Sequence, residues 1–232
     1  MKIIALTFTC ARDAKRAAFH QKFLPTHWRK IWCVESADKD IPAPEGTEIL
    51  VRDFPRGGTL RGNAAIYGMR DVFLELAAEC DLLVKLDSDT VLFRPQAWTA
   101  PFEYAGAAFT YIRRYDAESR LLANGCAYAV SRRALLRLRN FYEESEIPEK
   151  MTGHEDLIFS SFWTAFPRNR DLTLCQLDKD KFHWCAKPYY GADCLGAHLG
   201  YVSEADDFAR CEAAGYFSPT EKSSNASTNW IV

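Results

Sequence analysis

The sharpest chemical feature of the sequence is Leu86-Asp87-Ser88-Asp89, where an apolar run ends in two carboxylates two residues apart. If Leu82 to Leu86 is a strand, side chains at i and i+2 project to one side, so Asp87 and Asp89 can face one ligand. Paired carboxylates repel each other without a cation. Hard ions such as Mn²⁺ or Mg²⁺ take oxygen ligands and are commonly completed by phosphate oxygens. The pattern therefore points to a metal–diphosphate site on Asp87, Ser88 and Asp89. The plain alternative for these residues alone is a solvated turn.

Four other segments carry chemistry. Arg61-Gly62-Asn63 opens a long helical pattern, and a helix N-terminus with an arginine suits an anion. Asn124-Gly125-Cys126-Ala127-Tyr128-Ala129-Val130-Ser131 enters a strand through a glycine, which would let a ligand approach the backbone closely. Gly153-His154-Glu155-Asp156 precedes an apolar helix. Carboxylates there suit the helix dipole, and either could serve as a general base. His198, in Gly196-Ala197-His198-Leu199-Gly200, offers a loop imidazole. Each has a plain counterpart: a surface arginine, a turn glycine, a cap and a solvated histidine.

The elements that must position these residues alternate. Ile3–Cys10, Ile31–Val34, Thr47–Phe54 and Leu82–Leu86 read as strands. Ala11–Phe23 and Thr59–Cys80 read as helices, the second with Ile66, Met69, Phe73, Leu76 and Ala77 on one face. This order predicts an α/β fold with a mostly parallel central sheet. In such sheets ligands sit outside the carboxyl ends of the strands, where Asp87 falls. Further on, Tyr104–Ile112, Gly125–Val130 and Leu172–Leu177 read as strands, and Asp156–Ala165 as a helix. Ser131–Glu144 reads as a helix capped by Ser131. Lys187–Gly200 reads as glycine-rich loop, and residues 219–232 as a flexible polar tail.

Composition narrows the class. The chain has 232 residues, 48% hydrophobic and 26% charged, with a net charge of -2. That is ordinary globular composition for one domain, with no chain-wide positive field for nucleic acid. The run Arg132-Arg133 with Arg137 and Arg139 is expected on a solvated helix face. No apolar segment is long enough for a membrane span. Eight cysteines fall at irregular spacings without a CxxC, which fits reduced thiols and a cytoplasmic setting. A zinc site on Cys175, His183, Cys185 and Cys194 is a minor alternative.

Taken in order, these segments resemble the GT-A fold glycosyltransferases, over roughly residues 3 to 200. Val84-Lys85-Leu86-Asp87-Ser88-Asp89-Thr90-Val91-Leu92-Phe93 is similar to the metal-site strand of galactosyltransferase-like members, and Gly125 to Ser131 to the acceptor-side strand. The resemblance implies a GT-A-like, Rossmann-like α/β/α sandwich, with a nucleotide-binding half (1–93) and an irregular acceptor-side half (94–218). It implies a metal-dependent glycosyltransferase using Mn²⁺ or Mg²⁺ and a nucleotide-diphosphate sugar, with UDP favoured. The acceptor would be a glycan, a lipid-linked sugar or a small molecule. Asp87, Asp89 and His198 would hold the metal. Asp156, or Glu155, would be the base of an inverting reaction. Thr7, Thr9, Glu35, Arg61, Asn63, Asp87, Ser88 and Asp89 would bind donor. Gly125 and the aromatic Trp163 would face acceptor, with Trp184, Tyr189, Tyr190 and Tyr201 as further aromatic candidates. The sequence lacks the tryptophan that some inverting members carry before the Glu155-Asp156 pair.

Two rivals come from other classes. A nucleotidyltransferase would need a glycine-rich basic loop after the first strand, and Cys10-Ala11-Arg12-Asp13-Ala14-Lys15-Arg16 has no glycine. A non-catalytic nucleotide-sugar-binding module would not need Asp87, Asp89, Glu155, Asp156 and His198 together.

Overall fold

The computed structural model describes residues 1–54, 63–99, 101–108, 123–141, 155–177, 181–183, 193–199 and 229–231. Four parallel strands form its first half: β1 (Ile3–Phe8), β2 (Arg29–Val34), β3 (Thr47–Val51) and β4 (Leu82–Asp87). β1 is buried at all six positions. A strand covered on both faces has no need of polar alternation, so its sequence reads as one apolar run. Its residues nevertheless divide by parity. Ile4, Leu6 and Phe8 enter one core cluster, and Ile3 and Ala5 enter another on the opposite face.

The first of those faces is covered by helices. α2 (Asn63–Leu76) contributes Ile66, Met69, Val72, Phe73 and Leu76. α3 (Arg132–Arg137) begins at Ser131, whose hydroxyl accepts the Ala134 amide at 3.2 Å, the cap expected for it. α4 (Glu155–Ala165) adds Ile158, Phe159, Phe162 and Trp163. Packed on the other face are α1 (Ala14–Gln21), with Ala14 and Ala17 against Trp32 and Val34, and a small second sheet.

The remaining strands are β5 (Thr90–Leu92), β6 (Tyr104–Ala108), β7 (Ala123–Ser131), β8 (Leu174–Leu177), β9 (Phe182–His183), β10 (Gly196–His198) and β11 (Asn229–Ile231). The main sheet runs β11-β8-β6-β7-β4-β1-β2-β3, and the small one β5-β10-β9. Pairing is parallel between β1 and β2, β1 and β4, β2 and β3, and β6 and β8; β7 and β11 run against their neighbours. Six of the eight main-sheet strands thus point one way, as expected of a mostly parallel sheet.

Two expectations are corrected. The last part of the supposed glycine-rich loop is β10, a strand antiparallel to β5. The end of the supposed tail is β11, which pairs with the edge strand β8 through Asn229, Trp230 and Ile231. Three-residue strands carry too little periodicity to be seen in a sequence. Among the described residues, no helix is long and apolar enough to cross a membrane.

Candidate functional site

The site lies where β4 ends. β4 stops at Asp87, and Ser88-Asp89 form a turn into β5. Asp87 and Asp89 are therefore brought together by a turn, not by the i, i+2 projection of one strand. β10 supplies the third group. Its His198 is in register with Thr90, and the Leu199 amide donates to the Asp89 carbonyl at 2.8 Å. One ligand atom each from Asp87, Asp89 and His198 lies within 4.8 Å of the others. His198 Nε2 is 3.3 Å from Asp89 Oδ1. Two carboxylate oxygens and an imidazole nitrogen, all partly exposed, form a donor set that fits Mn²⁺ or Mg²⁺. Burial raises the Asp89 carboxyl above its ordinary range; His198 opposes this and the Asp87 charge adds to it.

A buried histidine underlies the turn, and the sequence reading passed over it. His20 Nδ1 lies 3.3 Å from the Ser88 carbonyl, and its Nε2 lies 3.3 Å from the Thr7 hydroxyl. A carbonyl can only accept, so Nδ1 carries the proton and Thr7 donates to Nε2. Burial pushes His20 down to about 4, against the Ser88 carbonyl and the Asp87 charge, so the ring is neutral. Thr7, expected in the nucleotide pocket, is 2% exposed and holds this histidine instead. The reason is parity, since Thr7 pairs beside Trp32 on the face that α1 covers.

Of the other donor-side residues, Thr9 is buried just past β1, its amide donating to the Cys33 carbonyl at 3.1 Å. Glu35 is partly exposed at the end of β2, where it leads into a short 3₁₀ turn, Ser36–Asp38. Both lie at the carboxyl edge of the parallel strands. Asn63 opens α2, while its side chain and all of Arg61 lie outside the described residues.

The acceptor-side carboxylates are differently placed. Glu155 and Asp156 open α4 and are both buried. Asp156 Oδ2 accepts the Gly125 amide at 3.1 Å, and its Oδ1 accepts the Leu157 amide at 2.8 Å. Burial pushes Asp156 up to about 6, although those amides and Lys85 pull the other way. Burial likewise pushes Glu155 up to about 7, against the attraction of Lys85. Gly125 is a close-approach glycine, but what approaches it is Asp156. A Cβ there would meet Asp156 Cβ at 2.8 Å and Oδ2 at 2.9 Å.

Lys85 is the other residue missed. It interrupts the apolar run Leu82-Leu83-Val84-Lys85-Leu86 and is completely buried. Its Nζ lies 2.6 Å from Asp87 Oδ1 and 2.9 Å from Glu155 Oε1, and it also donates to the Gly125 carbonyl. Burial alone would lower a lysine, but the Asp87 and Glu155 carboxylates outweigh it and hold Lys85 protonated. The sequence signal was a charge in a fully apolar strand, since such a charge is almost never buried unpaired.

Trp163 is corrected outright. It is 0% exposed, donates its indole N–H to the Ala134 carbonyl at 3.0 Å and stacks on Phe159. It is core, not acceptor surface, because α4 turns its aromatic side onto β7 and α3. Trp184, Tyr189, Tyr190 and Tyr201 lie outside the described residues. For the zinc alternative, Cys175 and Cys194 sit in separate core clusters, and burial pushes both thiols up to about 11. Cys185 and the His183 side chain lie outside the described residues. The described cysteines, Cys10, Cys33, Cys80, Cys126, Cys175 and Cys194, are free thiols.

No protein-family model matches the chain, and no curated protein matches it in sequence. Solved structures do match. The galactosyltransferase LgtC, in complex with donor and acceptor sugar analogs, aligns with a TM-score of 0.62 at 10% identity, over 94% of this chain and 98% of that one. An active-site mutant of LgtC aligns at 0.53, also at 10% identity and with the same coverage. A glycosyltransferase involved in glycosylation of the major capsid of PBCV-1 aligns at 0.54 and 14% identity, over 92% of this chain and all of that one. The architecture shared across these whole chains is the GT-A fold, and this chain has it.

Proposed function

We propose that this protein is a metal-dependent glycosyltransferase. It moves a sugar from a nucleotide-diphosphate donor, with UDP the favoured base carrier, to a hydroxyl of a glycan, lipid-linked or small-molecule acceptor. One observation carries the reading: Asp87, Asp89 and His198 converge at the carboxyl edge of the parallel strands, where this fold class binds ligands. The shared fold of the LgtC and PBCV-1 enzymes supports it and does not by itself assign the chemistry.

In this reading Asp87, Asp89 and His198 hold Mn²⁺, or Mg²⁺. The bound ion supplies Lewis-acid neutralisation of charge on the leaving nucleoside diphosphate. Thr9 and Glu35 are assigned to the donor by position along that edge, and Arg61 and Asn63 by the family resemblance of their segment. Asp156 takes the proton of the acceptor hydroxyl as it attacks the anomeric carbon, and the outcome is inversion. A carboxyl raised to about 6 suits this task, because a base works best with a pKa near the operating pH. Gly125 fixes Asp156 through its amide.

The test is thermal stabilisation by a panel of nucleotides and nucleotide sugars, with Mn²⁺ and with chelator. One nucleotide sugar should raise the melting temperature only with metal. Asp89→Ala should lose that shift, by an affinity loss of at least about 100-fold, because ligand removal exceeds the 10–100-fold typical of supporting groups. Retained metal-dependent binding in Asp89→Ala would refute the site. NMR of the product's anomeric proton decides between inversion and retention.

A further inference from the structure

Lys85 is a fully buried cation between two regions that have separate tasks in this reading. An ammonium has three N–H donors and no acceptor. All three meet a protein oxygen: Asp87 Oδ1 at the end of β4, Glu155 Oε1 at the head of α4, and the Gly125 carbonyl on β7. The Tyr128 ring lies 5.5 Å from Nζ and closes a further side. The Gly125 peptide is gripped twice, at its carbonyl by Lys85 and at its amide by Asp156. Lys85 and Asp87 stand two residues apart on one face of β4, and that face is the one packed against α4.

A buried ion pair is weak evidence for stability, since apolar side chains of similar volume are often as good or better. What the lysine provides that apolar groups cannot is direction. We propose that Lys85 is a positioning residue that locks the cation-binding turn to the carboxylate at the head of α4. It holds one oxygen of Asp87, so that the other is presented to the cation, and it fixes the Gly125 peptide that in turn holds Asp156. Glu155 is then the counter-ion of Lys85, and Asp156 is left as the base. The first part of this role rests on Asp87, Asp89 and His198 forming a cation site.

Lys85→Met alone leaves Glu155 buried without a partner and lowers the melting temperature whatever the role of the lysine. The decisive variant is Lys85→Met with Glu155→Leu. It removes one charge of each sign, so the net charge is unchanged, and it replaces the ion pair by apolar contacts. Three measurements are made on the full chain: melting temperature, Mn²⁺ affinity from the EPR signal of the free ion, and hydrogen exchange of the Gly125 amide. A merely structural role would return all three together. The expected result is a melting temperature close to wild type, Mn²⁺ binding about tenfold weaker, and Gly125 exchange at least about tenfold faster, the scale of effects seen when groups supporting a metal ligand are removed. Wild-type Mn²⁺ affinity and wild-type Gly125 protection in the double variant would overturn the proposal. If wild type itself takes up no Mn²⁺, the cation reading falls instead. The link between β4, β7 and α4 is then judged by Gly125 exchange alone, with faster exchange supporting it and unchanged exchange sinking it.

Discussion

The carboxyl edge of β4 and the amino end of α4 each carry two carboxylates, and the two pairs live in different surroundings. Asp87 and Asp89 have side chains 36% and 18% exposed and share a turn with His198. Glu155 and Asp156 are 8% and 7% exposed, tied to Lys85 and to two backbone amides, and raised by burial to about 7 and about 6. The first pair is open and can share a cation. The second is closed and can hold or release a proton near neutrality. Burial raises Asp89 as well, but Glu155 and Asp156 are the more deeply buried pair and are held by different partners, so the same residue types gain different chemistry.

The largest effect that could break this contrast is at Asp156. Asp156→Asn should cost about 10²–10⁴-fold in kcat, the range for a lost general base, while leaving the donor-induced melting shift intact. Transfer near wild-type rates would end its role as base.

His20 sharpens the open side. Its folded pKa of about 4 lies below the unfolded value of about 6.5, so the unfolded state binds the proton in between. Stability from this group is present above about pH 6.5 and is lost as pH falls toward 4, by about 3 kcal/mol at full titration. Glu155 and Asp156 act with the opposite sign over an overlapping window, because their folded values are raised. Comparing denaturation of wild type and His20→Gln from pH 4 to 7 separates the two contributions. An unchanged slope would mean that His20 is not buried against Ser88.

Gly125→Ala probes the closed side. Its Cβ would press on Asp156 at 2.8–2.9 Å, which costs about 1–3 kcal/mol of overpacking, seen as a lower melting temperature. Transfer should fall more than donor binding does. An alanine variant equal to wild type in both would mean that Asp156 is not held at Gly125.

The smallest effect is a slope. Below pH about 6, kcat/KM should fall about tenfold per unit as Asp156 takes up its proton. A profile flat down to pH 5 would move the base away from this pair.

Much of this was legible in the sequence. β1 is an apolar run, as are Ile31–Val34 of β2 and β4 apart from Lys85 and Asp87, α2 has a clear apolar face, and Ser131 announces the helix it caps. β5, β9, β10 and β11 were not legible, because two or three residues hold no period. Trp163 misled, since an aromatic residue at a helix position reads the same whether it faces core or solvent. Lys85 was visible as a charge inside an apolar strand, but its partners Glu155 and Gly125 are distant in the chain.

The sequence by itself determined which residues could bind a cation or move a proton, and the strand–helix order that sets them along one edge. Side-chain type and local periodicity are encoded by near neighbours. Only the tertiary structure decided that His198 meets Asp89 from more than a hundred residues away, that His20 props the turn, and that Glu155 and Asp156 are buried while Asp87 and Asp89 stay partly exposed. Burial and long-range contact depend on how helices and strands pack across the sheet, and that packing sets the local dielectric around each carboxylate pair.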